Sequence, residues 1–151
     1  AHFLAQRTAV IYDGHIEQTG TVATVFNQPA TPFVADFVGV KNIFPAEFDA
    51  TTARVDRLKL ETTGGNGTHR YVAIRPENIH LSRNAEAGDR LNCLHGRIAR
   101  MINQGFFSEL DVETAGVRLR TVITASALAA LNIREGDAVY LKIAPRDVHV
   151  I

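Results

Sequence analysis

Apolar positions recur every second residue through most of this chain, in short runs separated by turn residues, the pattern of half-buried strands. Thr8–Tyr12 and residues 15–19 flank Asp13-Gly14, a dipeptide suited to positive φ, and so predict a hairpin. Gly20 breaks the alternation. Residues 21–26 predict a one-turn helix capped by Thr21 and stopped by Gln28-Pro29. Thr31-Pro32 caps and starts a second helix, with Phe33, Val34, Phe37 and Val38 on one face and Gly39 beyond its end. That apolar face is expected to pack on the strands that follow or on a second chain.

After Gly39 the pattern turns to strand. Residues 42–49 carry Ile43, Phe44 and Phe48, and Pro45 marks an edge strand. Residues 54–62 alternate, with Val55, Leu58 and Leu60 apolar. Gly64-Gly-Asn-Gly67 is the expected turn that folds this strand back on residues 71–74. A polar connection over 84–90 precedes two longer strands at 91–102 and 106–114. Ala115-Gly116 turns into a strand whose Val117, Leu119, Thr121 and Ile123 share a face. Thr124 caps a short helix carrying Leu128 and Leu131, which Asn132 ends; Val139, Leu141 and Ile143 form a last strand face. The expectation is a mainly β fold, a small barrel preceded by a short hairpin and two short helices.

One stretch occurs twice. Ile74-Arg-Pro-Glu-Asn-Ile-His-Leu81 is echoed by Ile143-Ala-Pro-Arg-Asp-Val-His-Val150. Each reads as a strand ended by proline, a polar half-turn and a two-residue strand. Proline presets φ and removes a donor, which suits a strand leaving a sheet edge. The echo predicts a barrel assembled from two related halves.

Composition narrows the function classes. Of 151 residues 46% are hydrophobic, and 16 basic residues balance 16 acidic ones. Phosphate-gripping nucleic-acid binders need a basic face, so that balance disfavours a nucleic-acid partner. The aromatic share of 7% and the lack of tryptophan disfavour a base-stacking platform. No run of apolar residues is long enough to span a bilayer, so no direct membrane insertion is expected. Cys93 is the single cysteine, which excludes an intrachain disulfide and fits a cytoplasmic home. His80 and His149 hold equivalent places in the echo, and His2, His15, His69 and His95 show no ligand spacing, so no metal site is expected. Ser126 has no His/Asp pattern near it, and no paired-carboxylate site is apparent, so no catalytic residue is expected.

Two stretches carry a family resemblance. Ala9-Val-Ile-Tyr-Asp-Gly-His-Ile-Glu-Gln-Thr-Gly20 followed by Pro29-Ala-Thr-Pro-Phe-Val-Ala-Asp-Phe-Val-Gly39 resembles the tail of the nucleotide-binding domain in ATPases of ABC importers. Residues 43–151 resemble the regulatory TOBE or MOP-like domain of such ATPases. Ile74-Arg-Pro-Glu-Asn78, Gly96-Arg-Ile98, Ile133-Arg-Glu-Gly136 and Asp147-Val-His-Val150 carry that likeness. The resemblance implies two parts: residues 1–40 as the C-terminal tail of a nucleotide-binding domain, and 41–151 as an OB-like regulatory barrel. It implies a homodimer with a second copy, permease subunits as partners through the parent ATPase, and a cytoplasmic place at the inner membrane.

The ATPase chemistry itself is not in these residues. No Gly-x-x-x-x-Gly-Lys-Ser/Thr loop occurs, so there is no backbone cradle for phosphates. The Leu-Ser-Gly-Gly-Gln signature is also absent, and His2 is not the family's switch histidine. The resemblance therefore implies a non-enzymatic segment without a cofactor, whose parent chain uses ATP and Mg. The competing expectation is a free-standing storage or sensor protein for molybdate, tungstate or sulfate. Small molybdate-binding proteins resemble residues 116–150 and hold their anion with amides, hydroxyls and a lysine. The matching positions imply Asn92 and Thr124 as candidate oxyanion residues, with Leu91 in place of an arginine; Ala127 stands at the serine position, and the neighbouring Ser126 is a further candidate. Ala144 stands at the lysine position, with Lys142 and Arg146 close enough to replace that cation.

Overall fold

The computed structural model describes residues 7–64, 67–85 and 91–151. An N-terminal unit comes first. Strands β1 (Thr8–Tyr12) and β2 (His15–Gly20) pair antiparallel around Asp13-Gly14, both at positive φ. Helix α1 (Val22–Asn27) starts where Thr21 accepts from the Thr24 amide, and α2 (Pro32–Phe37) where Thr31 accepts from the Val34 amide. Val10, Val25, Val34, Ala35, Val38 and Val40 form a small core that closes on Ala73. The expected apolar face of α2 is thus realised by Val34 and Val38, but with Ala35 buried beside them. Phe37 does not pack on the barrel within one chain: it is 68% exposed and stacks on Phe33.

The remaining strands build the barrel. They are β3 (Asn42–Pro45), β4 (Glu47–Asp49), β5 (Thr52–Val55), β6 (Leu58–Glu61), β7 (Tyr71–Ile74), β8 (His80–Ser82), β9 (Asn92–Asn103), β10 (Phe107–Thr114), β11 (Val117–Thr124), β12 (Ala138–Ile143) and β13 (His149–Val150), with α3 (Ala125–Leu131) between β11 and β12. Short 3-10 turns, Pro76–Asn78 and Pro145–Asp147, fall at the two prolines of the sequence echo. The sheets run β11-β10-β9-β12-β8, β13-β7-β3 and β4-β5-β6. They enclose one core, with Leu60, Ile74, Ile98, Leu110, Leu119, Leu141 and Ile143 fully buried.

One expected hairpin is corrected. The chain does not fold back from 54–62 onto 71–74 at the glycine cluster. It reverses earlier, at Asp56-Arg57, where Val55 pairs with Leu58 and Asp56 takes φ 54°. Strand β7 pairs instead with β3 and β13. Of the glycine cluster, Gly65 and Asn66 lie outside the described residues, as do residues 86–90 of the polar connection and His2.

The two halves exchange strands reciprocally. His149 and Val150 of β13 pair with Ala73 and Val72 of β7, while His80 and Leu81 of β8 pair with Lys142 and Leu141 of β12. In the register of the echo these are the same pairs with the halves swapped. The neighbouring strands obey the same rule: Asn42 lies opposite Ile74, and Asn92 opposite Ile143. Each asparagine then reaches into the other half. Asn42 accepts from the Arg120 amide at 2.6 Å and donates to the Arg120 carbonyl at 2.8 Å. Asn92 accepts from the Glu61 amide at 2.7 Å and donates to the Glu61 carbonyl at 2.9 Å. The Asp56-Arg57 and Ala115-Gly116 turns, equivalent in this register, also meet: a Cβ on Gly116 would lie 3.0 Å from Asp56 Oδ2. A buried amide matched to a backbone donor and acceptor in the other half ties the two halves in one register.

Candidate functional site

Departures from the internal symmetry single out one place. Ala73 and Lys142 occupy equivalent positions, as do Arg75 and Ala144, and His149 and His80. The sheet built from β7 with the exchanged strand β13, which brings Ala73, Arg75 and His149 together, is the one that receives the N-terminal unit. A small apolar residue at 73 lets the N-terminal core close on the strand, where Ala73 is 1% exposed.

The polar part of this junction comes from the echo itself. Arg75 precedes Pro76, so it sits where β7 leaves its sheet. Its Nη2 donates to the Phe26 carbonyl in the last turn of α1, and its Nη1 reaches the Val38 carbonyl at the end of α2 at 3.5 Å. These are helix-end carbonyls with no partner inside their helices, and a cation suits the negative end of a helix dipole. From the other half, His149 Nε2 lies 3.0 Å from the Pro29 carbonyl oxygen. A carbonyl only accepts, so Nε2 carries the proton there. Gln18 braces the same loop from below: its Oε1 accepts from the Ala30 amide at 2.8 Å and its Nε2 donates to the Gln28 carbonyl at 3.0 Å.

Charge pairs elsewhere hold strands rather than form a site. Asp111 is buried, and Arg120 Nε donates to its Oδ1 at 3.0 Å. That hydrogen bond and the carboxylate charge raise the Arg120 guanidinium above its ordinary value. Among the described residues no cluster of His, Cys, Asp or Glu is arranged to hold a metal ion.

The five residues expected for an oxyanion fall in three places. Thr124 and Ser126 come together at the start of α3, with their hydroxyls 3.3 Å apart, and Thr124 accepts from the Ala127 amide. In the sheet, Thr124 lies opposite Phe107 at one end of the ladder. Asn92 and Lys142 lie at the other end of β9, where Asn92 opposes Ile143 and Lys142 opposes Cys93. The Asn92 amide is committed to the Glu61 backbone. Arg146 sits in the 3-10 turn Pro145–Asp147, on the wall of the junction. Sequence reading did not single out Arg75, Asn42 or Ala73; the signal available was the mismatch between the two copies of the echo at 75 and 144.

Two faces remain apolar and exposed. On the N-terminal unit, Ile11 and Ile16 are cross-strand neighbours, 64% and 65% exposed, while Tyr12 points to the opposite face of the hairpin and packs on Phe33. On the barrel, Phe106 is 94% exposed in the β9–β10 turn next to α3. No helix among the described residues is long and apolar enough to cross a membrane.

A barrel of two strand-exchanged halves, joined through its proline turns to a hairpin and two helices, defines an OB-like, MOP-like protein. The TOBE domain family model matches residues 72–151, and the chain belongs to that family. The molybdate/tungstate import ATP-binding protein WtpC of Pyrococcus horikoshii is 30% identical over 97% of this chain and 43% of its own length. The Fe(3+) ions import ATP-binding protein FbpC of Photorhabdus laumondii is 32% identical over all of this chain and 42% of its own. The chain thus spans about two-fifths of the length of the curated relatives it matches. The molybdate-bound structure of the cytoplasmic molybdate-binding protein ModG superposes with a TM-score of 0.59 at 16% identity, covering 74% of this chain and 96% of that one. That likeness shows the fold.

Proposed function

We propose that this chain is the regulatory and dimerisation part of the ATP-binding subunit of an ABC-type importer. In this reading residues 1–40 end a nucleotide-binding domain, and 41–151 form the barrel that follows it. The parent subunit binds ATP and Mg, hydrolyses ATP, and sits on the cytoplasmic side of membrane permease subunits. The chain's own residues supply no catalytic group; they set how the barrel is carried by the ATP-binding part.

One observation supports this most. The N-terminal unit is gripped by Arg75 and His149, and its hairpin exposes the cross-strand pair Ile11 and Ile16. An exposed apolar face of that kind marks a contact surface. A unit held by the barrel and still exposing an apolar pair is suited to join two bodies. Motion of the ATP-binding part would reach the barrel through the Phe26, Val38 and Pro29 carbonyls. The exposed Phe106 beside α3 supports pairing with a second copy.

Two experiments test the reading. The reading frame preceding Ala1 is expected to encode a phosphate-binding loop and a signature motif; a start codon there instead overturns it. Light scattering is expected to give twice the chain mass at micromolar concentration, and Phe106→Ser to shift it towards the monomer. A monomer at all concentrations removes the dimerisation role.

The alternative is an oxyanion-binding protein using Thr124, Ser126, Lys142, Arg146 and Asn92. The ModG likeness in fold and the paired hydroxyls of Thr124 and Ser126 favour it. The commitment of the Asn92 amide to Glu61 weighs against it. Calorimetry with molybdate, tungstate and sulfate separates the two: saturable binding weakened by Thr124→Ala supports the alternative, and silence at millimolar anion removes it.

A further inference from the structure

The junction forms an open pocket of about 250 Å³ between the end of α1 and the two proline turns. Its size lies just below the roughly 300 Å³ at which pockets for organic ligands begin, which suits a small ion. Its polar walls come from both halves: Arg75 and Asn78 from the first echo, and Arg146, Asp147 and His149 from the second. Arg75 and Arg146 bring two guanidiniums to its lining against one lining carboxylate, Asp147. Arg75 has five N–H donors, and the Phe26 and Val38 carbonyls use two. Glu77, at 4.0 Å from Arg75 Nη1, is more than half exposed and screened by solvent. Arg146 has no ion pair or hydrogen bond among the described residues.

We infer that this cavity binds inorganic phosphate, recognised as a protonated tetrahedral oxyanion. The cations and the Asn78 amide supply donors to its oxygens, and guanidinium forks match such oxygens well. Asp147 decides which oxyanion. An ionised carboxylate only accepts hydrogen bonds, so it repels a fully deprotonated anion and welcomes one that carries a hydroxyl. Hydrogen phosphate keeps a proton at neutral pH; sulfate and molybdate do not. A phosphomonoester, with its second pKa near 6, is largely stripped of that proton above pH 7. The bound ion sits against Arg75 and His149, the barrel residues that grip the N-terminal unit, with Arg146 beside them. The site is separate from Thr124 and Ser126, and the inference holds whether or not the chain belongs to an importer.

The test is calorimetry on the intact chain at pH 7.5 and constant ionic strength, with amide NMR of residues 27, 75, 78 and 146 as a second readout. Phosphate is expected to bind saturably at millimolar concentration or below. Sulfate and glycerol phosphate are expected to bind at least about tenfold more weakly. Arg146→Ala, at an exposed position, is expected to weaken phosphate at least about tenfold, the loss of one charge-assisted contact. Asp147→Asn is expected to bring sulfate level with phosphate. Absence of saturable phosphate binding overturns the inference. So does equal binding of sulfate, or of glycerol phosphate, by the unaltered chain, since either removes the role of the proton.

Discussion

Replacing Asn42 by leucine tests whether the two halves are tied by their side-chain amides. Asn42 is 1% exposed, and leucine repeats its branching with bulkier methyl groups, so the change leaves little room for a replacing water. The loss is specific. The Arg120 amide loses an acceptor at 2.6 Å, and the Arg120 carbonyl loses a donor at 2.8 Å. The Ile74 carbonyl loses a further donor at 3.1 Å. A buried backbone group left without its partner costs about 1–3 kcal/mol, so two stranded groups on Arg120 cost about 3 kcal/mol after some relaxation. At about 2–4 °C per kcal/mol for a chain of this size, the melting temperature falls by roughly 6–12 °C. Asn92→Leu strands the equivalent pair on Glu61 and is expected to cost about as much. Urea unfolding measures both, with the slope unchanged if the native and unfolded ensembles keep their compactness. A loss below about 0.5 kcal/mol for Asn42→Leu refutes the reasoning, because surface changes alone reach that size.

Two further changes probe the packing around this clasp. A Cβ at Gly96 would lie 2.7 Å from Val112 Cγ1 and 2.9 Å from the Glu113 carbonyl oxygen, so Gly96→Ala is expected to destabilise by about 1–3 kcal/mol through overpacking, read by thermal melting. The Thr121 hydroxyl, buried 2.7 Å from the Ile79 carbonyl oxygen, ties β11 to the first proline turn; Thr121→Val is expected to cost about 1–2 kcal/mol in the same urea assay.

Local chemistry made much of the fold legible. Thr21, Thr31 and Thr124 each cap the helix expected of them, because a hydroxyl followed by a helical run has few other uses. Asp13-Gly14 makes its turn for the same local reason. The proline echo gave the two halves. What was not legible is non-local. The Asp56-Arg57 turn has no glycine; Asp56 takes positive φ itself, while the glycine cluster at 64–67 offered a stronger but misleading signal. The Asn42 and Asn92 clasps stand at different distances before their echoes, so no repeat spacing links them. The candidate oxyanion residues came from the likeness to small molybdate-binding proteins, which says nothing of distance in space, and the sheet register places Thr124 and Asn92 towards opposite ends of β9. Arg75 was visible as part of the echo, but its partners Phe26 and Val38 belong to the N-terminal unit, and only the folded chain brings them to it.

The central claim is that Arg75 and His149 couple the N-terminal unit to a barrel that is stable without that coupling. Hydrogen exchange on the intact chain, unaltered and with Arg75→Ala, measures this most directly. The variant loses its charge-assisted grip on two helix-end carbonyls, so amides of residues 25–38 are expected to exchange at least about tenfold faster. Amides of β9, β10 and β12 are expected to keep their rates. Unchanged exchange over residues 25–38 contradicts the claim, and so does a uniform acceleration across the whole chain.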